Sequence, residues 1–165
     1  MSVLSTYFGG SKMITESFLM ALAMIESGNK DIPGDAGAAI GPLQIHEIYM
    51  ADVERILKCP CLFTTVKHGP NGECPGGRDA CPDDRHSLGA SLFATKVYLE
   101  FWSTYLRGRR GWEFSHADLC ALHRHGPSYK PGAAKSTQLD RVRTRRLAIL
   151  MQEDQKNSSK SKNNR

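Results

Sequence analysis

Apolar residues recur at helical spacing in five stretches of this chain, and almost nowhere do they alternate as a half-buried strand requires. Ile14, Phe18, Leu22 and Ile25 mark the first stretch and predict a helix over 14–27, with Gly28 as its C-terminal cap. Residues 28–41 then hold Gly28, Gly34, Gly37, Gly41 and Pro33, which is turn chemistry with room for a short hairpin. Leu43, Ile45, Ile48, Tyr49, Val53 and Ile56 predict a second helix opening at Gly41-Pro42 and ending before Cys59-Pro60. The third and longest helix is expected over 87–106, on a face of Leu88, Leu92, Ala94, Val97, Leu99, Phe101, Trp102 and Tyr105, with "RGRRG" ending it. Ser115 is a candidate N-cap for a short helix over 116–124. "HGPSYKPG" breaks the chain again, and Ser136 or Thr137 starts a last helix running to about residue 152. The pattern therefore predicts a mostly α protein of α+β class: about five helices and a small loop or β-hairpin element after the first. It fits one domain over 1–152, followed by a basic tail, 153–165, that is expected to be disordered because it holds no apolar residue to anchor it.

Composition changes this picture little. An apolar fraction of 40% is globular, and no apolar run has the length of a membrane span. "FLMALAMI" resembles the apolar part of a signal peptide, but Glu16 precedes it and no small-x-small cleavage site follows, so it reads as a core helix. The net charge of +5 favours polyanionic partners. Lys130, Lys135, Arg141, Arg143, Arg145 and Arg146 face one acid, Asp140, in residues 130–147. That stretch serves either solubility or attraction to an anionic target. No nucleic-acid motif accompanies it, so no specific nucleic acid is expected as a partner.

Of five cysteines, Cys59, Cys61, Cys74 and Cys81 cluster in the Pro/Gly-rich loop 58–85. A loop of that length needs cross-links or a function. Two disulfides would tie it down and imply an oxidising compartment. Zinc held by those four, with His68 as a possible ligand, is the rival; the C-x-C spacing fits the usual zinc patterns poorly. Cys120 falls in a helical pattern and is expected to be buried. No metal or other cofactor is expected.

The candidate chemistry lies in "ESGNKDIPGDAGAAIGPLQI", residues 26–45. Glu26 ends an apolar helix, where low polarity and the negative end of the helix dipole both favour a carboxyl that keeps its proton. Asp35 sits among glycines, where backbone N–H groups and water stabilise an anion. An acid and a carboxylate across a cleft can cleave a glycosidic bond. The ordinary alternatives are a solvated or paired Glu26 and an Asx-type turn at Asp35. Asp31, in the same bend, competes with Asp35 for the second role.

The run from Glu26-Ser27-Gly28 through Asp35-Ala36-Gly37 to Gly41-Pro42-Leu43-Gln44-Ile45-His46-Glu47-Ile48-Tyr49 and Asp52 resembles the invertebrate-type, destabilase-like lysozymes. "DLCALHRHGPSYKPGAAKSTQLDRV" resembles that family's C-terminal motif and supplies His123, Gly126 and Pro127. The resemblance implies a lysozyme-like fold and a muramidase that cleaves the β-1,4 bond between N-acetylmuramic acid and N-acetylglucosamine in peptidoglycan. It implies Glu26 as general acid and Asp35 as nucleophile or stabilising carboxylate. Gln44, Tyr49, His123 and Gly126 would bind substrate. A monomer without membrane insertion, in a secreted or lysosomal/vacuolar setting, is expected. The chain departs from the family in a shorter bend between Glu26 and Asp35, in Met50 for a tryptophan, in Arg124-His125 for Asn-Gly, and in its few cysteines. Family members that cleave isopeptide bonds use a serine and a lysine; Gly37, Ala38, Ala39 and His46 stand there, so that activity is not expected. A lytic transglycosylase using one acid, a non-catalytic glycan-binding module and a charge-driven nucleic-acid binder are the other readings.

Overall fold

The computed structural model describes residues 13–58, 84–132, 143–153 and 156. The predicted loop cysteines Cys59, Cys61, Cys74 and Cys81, with His68, the start of the last helix and the tail 157–165, lie outside them. The helices are α1 (Glu16–Glu26), α2 (Glu47–Leu57), α3 (Leu88–Arg110) and α4 (His116–His125). Residues 143–153 form a fifth, α5. A two-stranded antiparallel sheet of β1 (Ala39–Ile40) and β2 (Ile45–His46) follows α1, pairing Ala39 with His46 and Ile40 with Ile45. The protein is mostly helical with one small β element, as the apolar pattern predicts. Among the described residues no helix is long and apolar enough to cross a membrane.

The chain divides into two compact units, one of Glu26–Tyr98 and one formed by the residues up to Ile25 and from Leu99 onward. In the second of these, α1 starts where the Thr15 hydroxyl accepts the Phe18 N–H at 3.1 Å. Phe18 and Leu22 are fully buried, which contributes about 1.5–3 kcal/mol for each side chain. The His116 ring lies 5.2 Å from that of Phe18 and bonds the Met13 carbonyl at 2.9 Å. Ser115 caps α4 as expected, and does so reciprocally with Asp118. Tyr129 and Gly132 also donate to Asp118, each at 2.8 Å, so one buried carboxylate ties the start of α4 to the segment after it. Cys120 is buried.

In the unit Glu26–Tyr98, two expectations need correction. The helix predicted from Gly41-Pro42 begins only at Glu47. Gly41 (φ +81°) and Gln44 (φ +51°) both take left-handed backbone, which no helix interior accepts. Residues 41–44 are therefore the hairpin turn, and Ile45 belongs to a strand. The hairpin also lies later than the 28–41 expected for it. Ile48, counted on the apolar face, is 80% exposed as a result.

Helix α3 outruns its prediction by one turn, because arginine is a good helix former and Gly108 interrupts nothing. It stops at Gly111 (φ +65°), whose N–H reaches the Arg107 carbonyl. Tyr105, placed in its core by periodicity, is exposed, while Ser91, Thr95, Glu100 and Ser103 are buried.

Candidate active site

Glu26 is the last residue of α1, and Ser27 fixes the path of the chain beyond it. The Ser27 hydroxyl donates to the Pro42 carbonyl at 2.8 Å and accepts the Lys30 N–H at 2.9 Å. The chain leaving Glu26 is thereby anchored to the hairpin turn fifteen residues on. Gly28 (φ +70°) and Asn29 (φ +61°) reverse its direction. Glu26 itself is half-buried, and its Oε1 is shielded from solvent.

The bend then runs through exposed Asp31, Ile32 and Pro33 to Gly34. Gly34 and Ala39 exchange backbone hydrogen bonds at 2.7 and 3.2 Å and close a tip of residues 35–38. Asp35 (φ +46°) and Ala36 (φ +56°, ψ +32°) occupy left-handed backbone in succession. Aspartate tolerates that region; alanine there is disfavoured by about 1–2 kcal/mol. Strain of this kind persists only where neighbouring structure enforces it. The Asp35 carboxylate, 73% exposed, pairs through Oδ2 with His46 Nε2 at 3.1 Å. Asp31, the rival acid, pairs with His86 Nδ1 at 2.7 Å.

Gln44 reaches under this bend. Its Nε2 donates to the Ile32 carbonyl at 2.7 Å and the Gly41 carbonyl at 2.9 Å. Its Oε1 lies so near Gly34 that a Cβ there would sit 1.9 Å away. The expected sugar-binding amide is thus a brace between bend and turn. Tyr49, expected on the cleft wall, is 8% exposed and stacks on Tyr98 with ring centroids 3.8 Å apart. Burial first, then the Tyr98 and Asp52 neighbours, push its phenol well above the ordinary value against a lowering bond from Thr95. Burial and Asp52 push Tyr98 up as well. Both are neutral packing groups at any working pH.

The remaining predicted residues belong to the other unit. His123 is buried on α4. Gly126 caps that helix at φ +72°, its N–H donating to the Leu122 carbonyl. At Arg124-His125, where the lysozyme motif has Asn-Gly, His125 has φ −103° and the positive φ belongs to Gly126.

Three residues of the site were not foreseen: Ser27, Arg85 and His86. Arg85 is buried, and its Nη1 donates to the carbonyls of Ala38 and Ile45 at 3.4 Å. Its own carbonyl accepts the Ser91 hydroxyl at 2.9 Å and faces Gly41, where a Cβ would lie 1.8 Å from it. The segment Asp84–His86, a single 3₁₀ turn, is in this way fastened to β2 at Ile45 and to Ala38, the residue before β1. Among the described residues no group of three or more His, Cys, Asp or Glu side chains could hold a metal ion. No protein-family model, curated protein or solved structure matches the chain.

Proposed function

We propose that the protein is a glycoside hydrolase acting on the amino-sugar backbone of peptidoglycan, with Glu26 as proton donor and Asp35 as the second carboxylate. One observation carries the reading: a carboxyl with an oxygen shielded from water ends an apolar helix, Ser27 ties the chain leaving it to the hairpin turn, and the bend between them presents an exposed carboxylate on strained backbone. A pair of carboxyls in unlike surroundings, one shielded and one exposed, suits the two parts of glycoside cleavage: protonating the leaving oxygen and stabilising an oxocarbenium-like transition state. The net charge of +5 suits a polyanionic wall. The resemblance of residues 26–52 to invertebrate-type lysozymes points the same way and names the N-acetylmuramic acid–N-acetylglucosamine bond as the target.

The test is clearing of a peptidoglycan suspension by purified protein and by Glu26→Gln. Removing the proton donor at constant volume lowers turnover by about 10²–10⁴-fold with the melting temperature unchanged. A Gln variant of near-normal activity refutes the assignment.

A second reading has its own support. Asp35 is 73% exposed and already engaged by His46, and a lytic transglycosylase needs only the one acid. Asp35→Asn at a normal rate, with 1,6-anhydro ends in the released fragments by mass spectrometry, would establish it in place of hydrolysis.

A further inference from the structure

We propose that His46 and His86 are positioning residues for Asp35: together they clamp the two ends of the bend 31–35 and hold its carboxylate where the reaction needs it. The proposal rests on the glycosidase reading and deepens it.

The bend has little of its own to hold it. Residues 30–33 carry no regular structure, and Asp31, Ile32 and Pro33 are exposed. A segment with so little buried apolar surface opens readily unless specific bonds restrain it. Three side chains from outside supply such bonds among the described residues: His86 to Asp31, Gln44 to the Ile32 carbonyl, and His46 to Asp35. The first and last stand at the two ends of the segment, and the last engages the carboxylate itself.

Both imidazoles are carried by one framework. His46 is the final residue of β2 and the N-cap of α2. His86 follows Arg85, whose guanidinium bonds the Ile45 carbonyl of β2 and the Ala38 carbonyl just before β1, and whose own carbonyl faces Gly41. The left-handed backbone at Asp35 and Ala36 would relax if the bend were released. Such strain marks a place where neighbours dictate geometry, and His46 is the neighbour bonded to the strained residue's own side chain.

Each imidazole meets its acid directly: His46 Nε2 stands 3.1 Å from Asp35 Oδ2 and His86 Nδ1 stands 2.7 Å from Asp31 Oδ1, and a ring fixed in this way limits where the carboxylate can go.

The experiment measures kcat and KM on soluble peptidoglycan fragments for His46→Ala, His46→Gln and Asp35→Asn, and for His46→Ala combined with Asp35→Asn. Glutamine places an amide N–H near the Nε2 position. We expect His46→Ala to lower kcat by about 10–100-fold with KM little changed, as loss of alignment does. His46→Gln should recover most of the rate. On Asp35→Asn, His46→Ala should cost nothing further. Losses that multiply in the double variant, or a Gln variant no better than Ala, overturn the proposal. So does a rise in KM alone, which would make His46 a substrate contact.

Amide hydrogen exchange at Gly37, Ala38 and Ala39, whose N–H groups close the tip, reads the clamp without turnover. Faster exchange in His46→Ala and His86→Ala, but not in His46→Gln or His86→Asn, supports it. Unchanged exchange overturns it whatever the enzyme does. A wild-type protein that releases no fragments retires the glycosidase reading and Asp35's catalytic part with it, which the exchange data alone would not.

Discussion

Gln44 gives the sharpest separation between a structural and a substrate-binding role. Its Nε2 donates to two carbonyls, one exposed at Ile32 and one half-buried at Gly41. A neutral hydrogen bond contributes about 0.5–1.5 kcal/mol net, and the exposed carbonyl regains water when the bond is cut. Gln44→Ala should therefore destabilise by about 1–2 kcal/mol. Gln44→Gly loses the same bonds but relieves the left-handed backbone at φ +51°. That relief is about 1–2 kcal/mol, offset by about 0.4–1 kcal/mol of added freedom in the unfolded chain; the Gly variant should match or slightly exceed Ala.

Gln44→Glu is the decisive member. An ionised carboxylate has no proton to donate, so it would face two carbonyl oxygens and must swing away or repel them. We expect a loss of about 2–3 kcal/mol at neutral pH. Because the fold disfavours this charge, the variant's folded-state pKa lies above its unfolded one. The deficit is then greatest at neutral pH and shrinks as pH falls through the carboxyl range, where a protonated acid again donates. Thermal unfolding at pH values either side of that range measures this, at about 2–4 °C per kcal/mol for a chain of this size. Gln44→Glu melting with the wild type at neutral pH would refute the brace. An Ala variant with unchanged melting and a raised KM would return Gln44 to the sugar cleft.

Two further outcomes test the scaffold. Gly41→Ala sets a Cβ against the Arg85 carbonyl at 1.8 Å on a backbone of φ +81°, and with backbone on both sides we expect about 3 kcal/mol or more of destabilisation, read as a fall in melting temperature of about 10 °C. Burial acts to raise the Asp118 carboxyl, but bonds from the Ser115 hydroxyl, the Gly132 and Ser115 N–H groups and the Tyr129 hydroxyl outweigh it and hold it below its usual value. Its stabilisation is complete above the unfolded carboxyl's range and is lost as pH falls through the lowered one. Asp118→Asn should therefore melt lower by about 1–3 kcal/mol at neutral pH and converge on the wild type in strong acid, and a gap that stays constant with pH would count against the carboxylate's charge as the cause.

Local signals were legible where one element decides its own fate. The glycine at the end of α1 and the serine before α4 each act within a turn, and both stand where sequence placed them. The hairpin was not legible in the same way. Strands of two residues carry no alternation to read, and Leu43 and Ile45 happen to fit helical spacing. Left-handed backbone at Gly41 and Gln44 separates turn from helix there, and at Gln44 the side-chain type does not announce it. Tyr105 shows the same limit from the other side: its spacing is right for a core face, yet it is exposed, because periodicity alone does not say which face of a long helix is covered.

The site was half legible for a related reason. Glu26 and Asp35 could be named because a helix end and a glycine bend are local features. Asp31 and Asp35 could not be told apart, because the partners that distinguish them come from elsewhere. Fifty-five residues separate Asp31 from His86, and no pattern in the intervening chain announces their meeting. Their imidazole partners set the two acids apart. Asp31 stands where the bend begins, with its imidazole mounted on the Asp84–His86 turn. Asp35 stands at the tip, on backbone that costs energy to maintain, beside an alanine held the same way. A restraint at the base of a bend serves the bend; strain at its tip serves the group that the tip presents. That difference, rather than spacing from Glu26, makes Asp35 the second carboxylate of the proposed reaction and assigns Asp31 to the clamp.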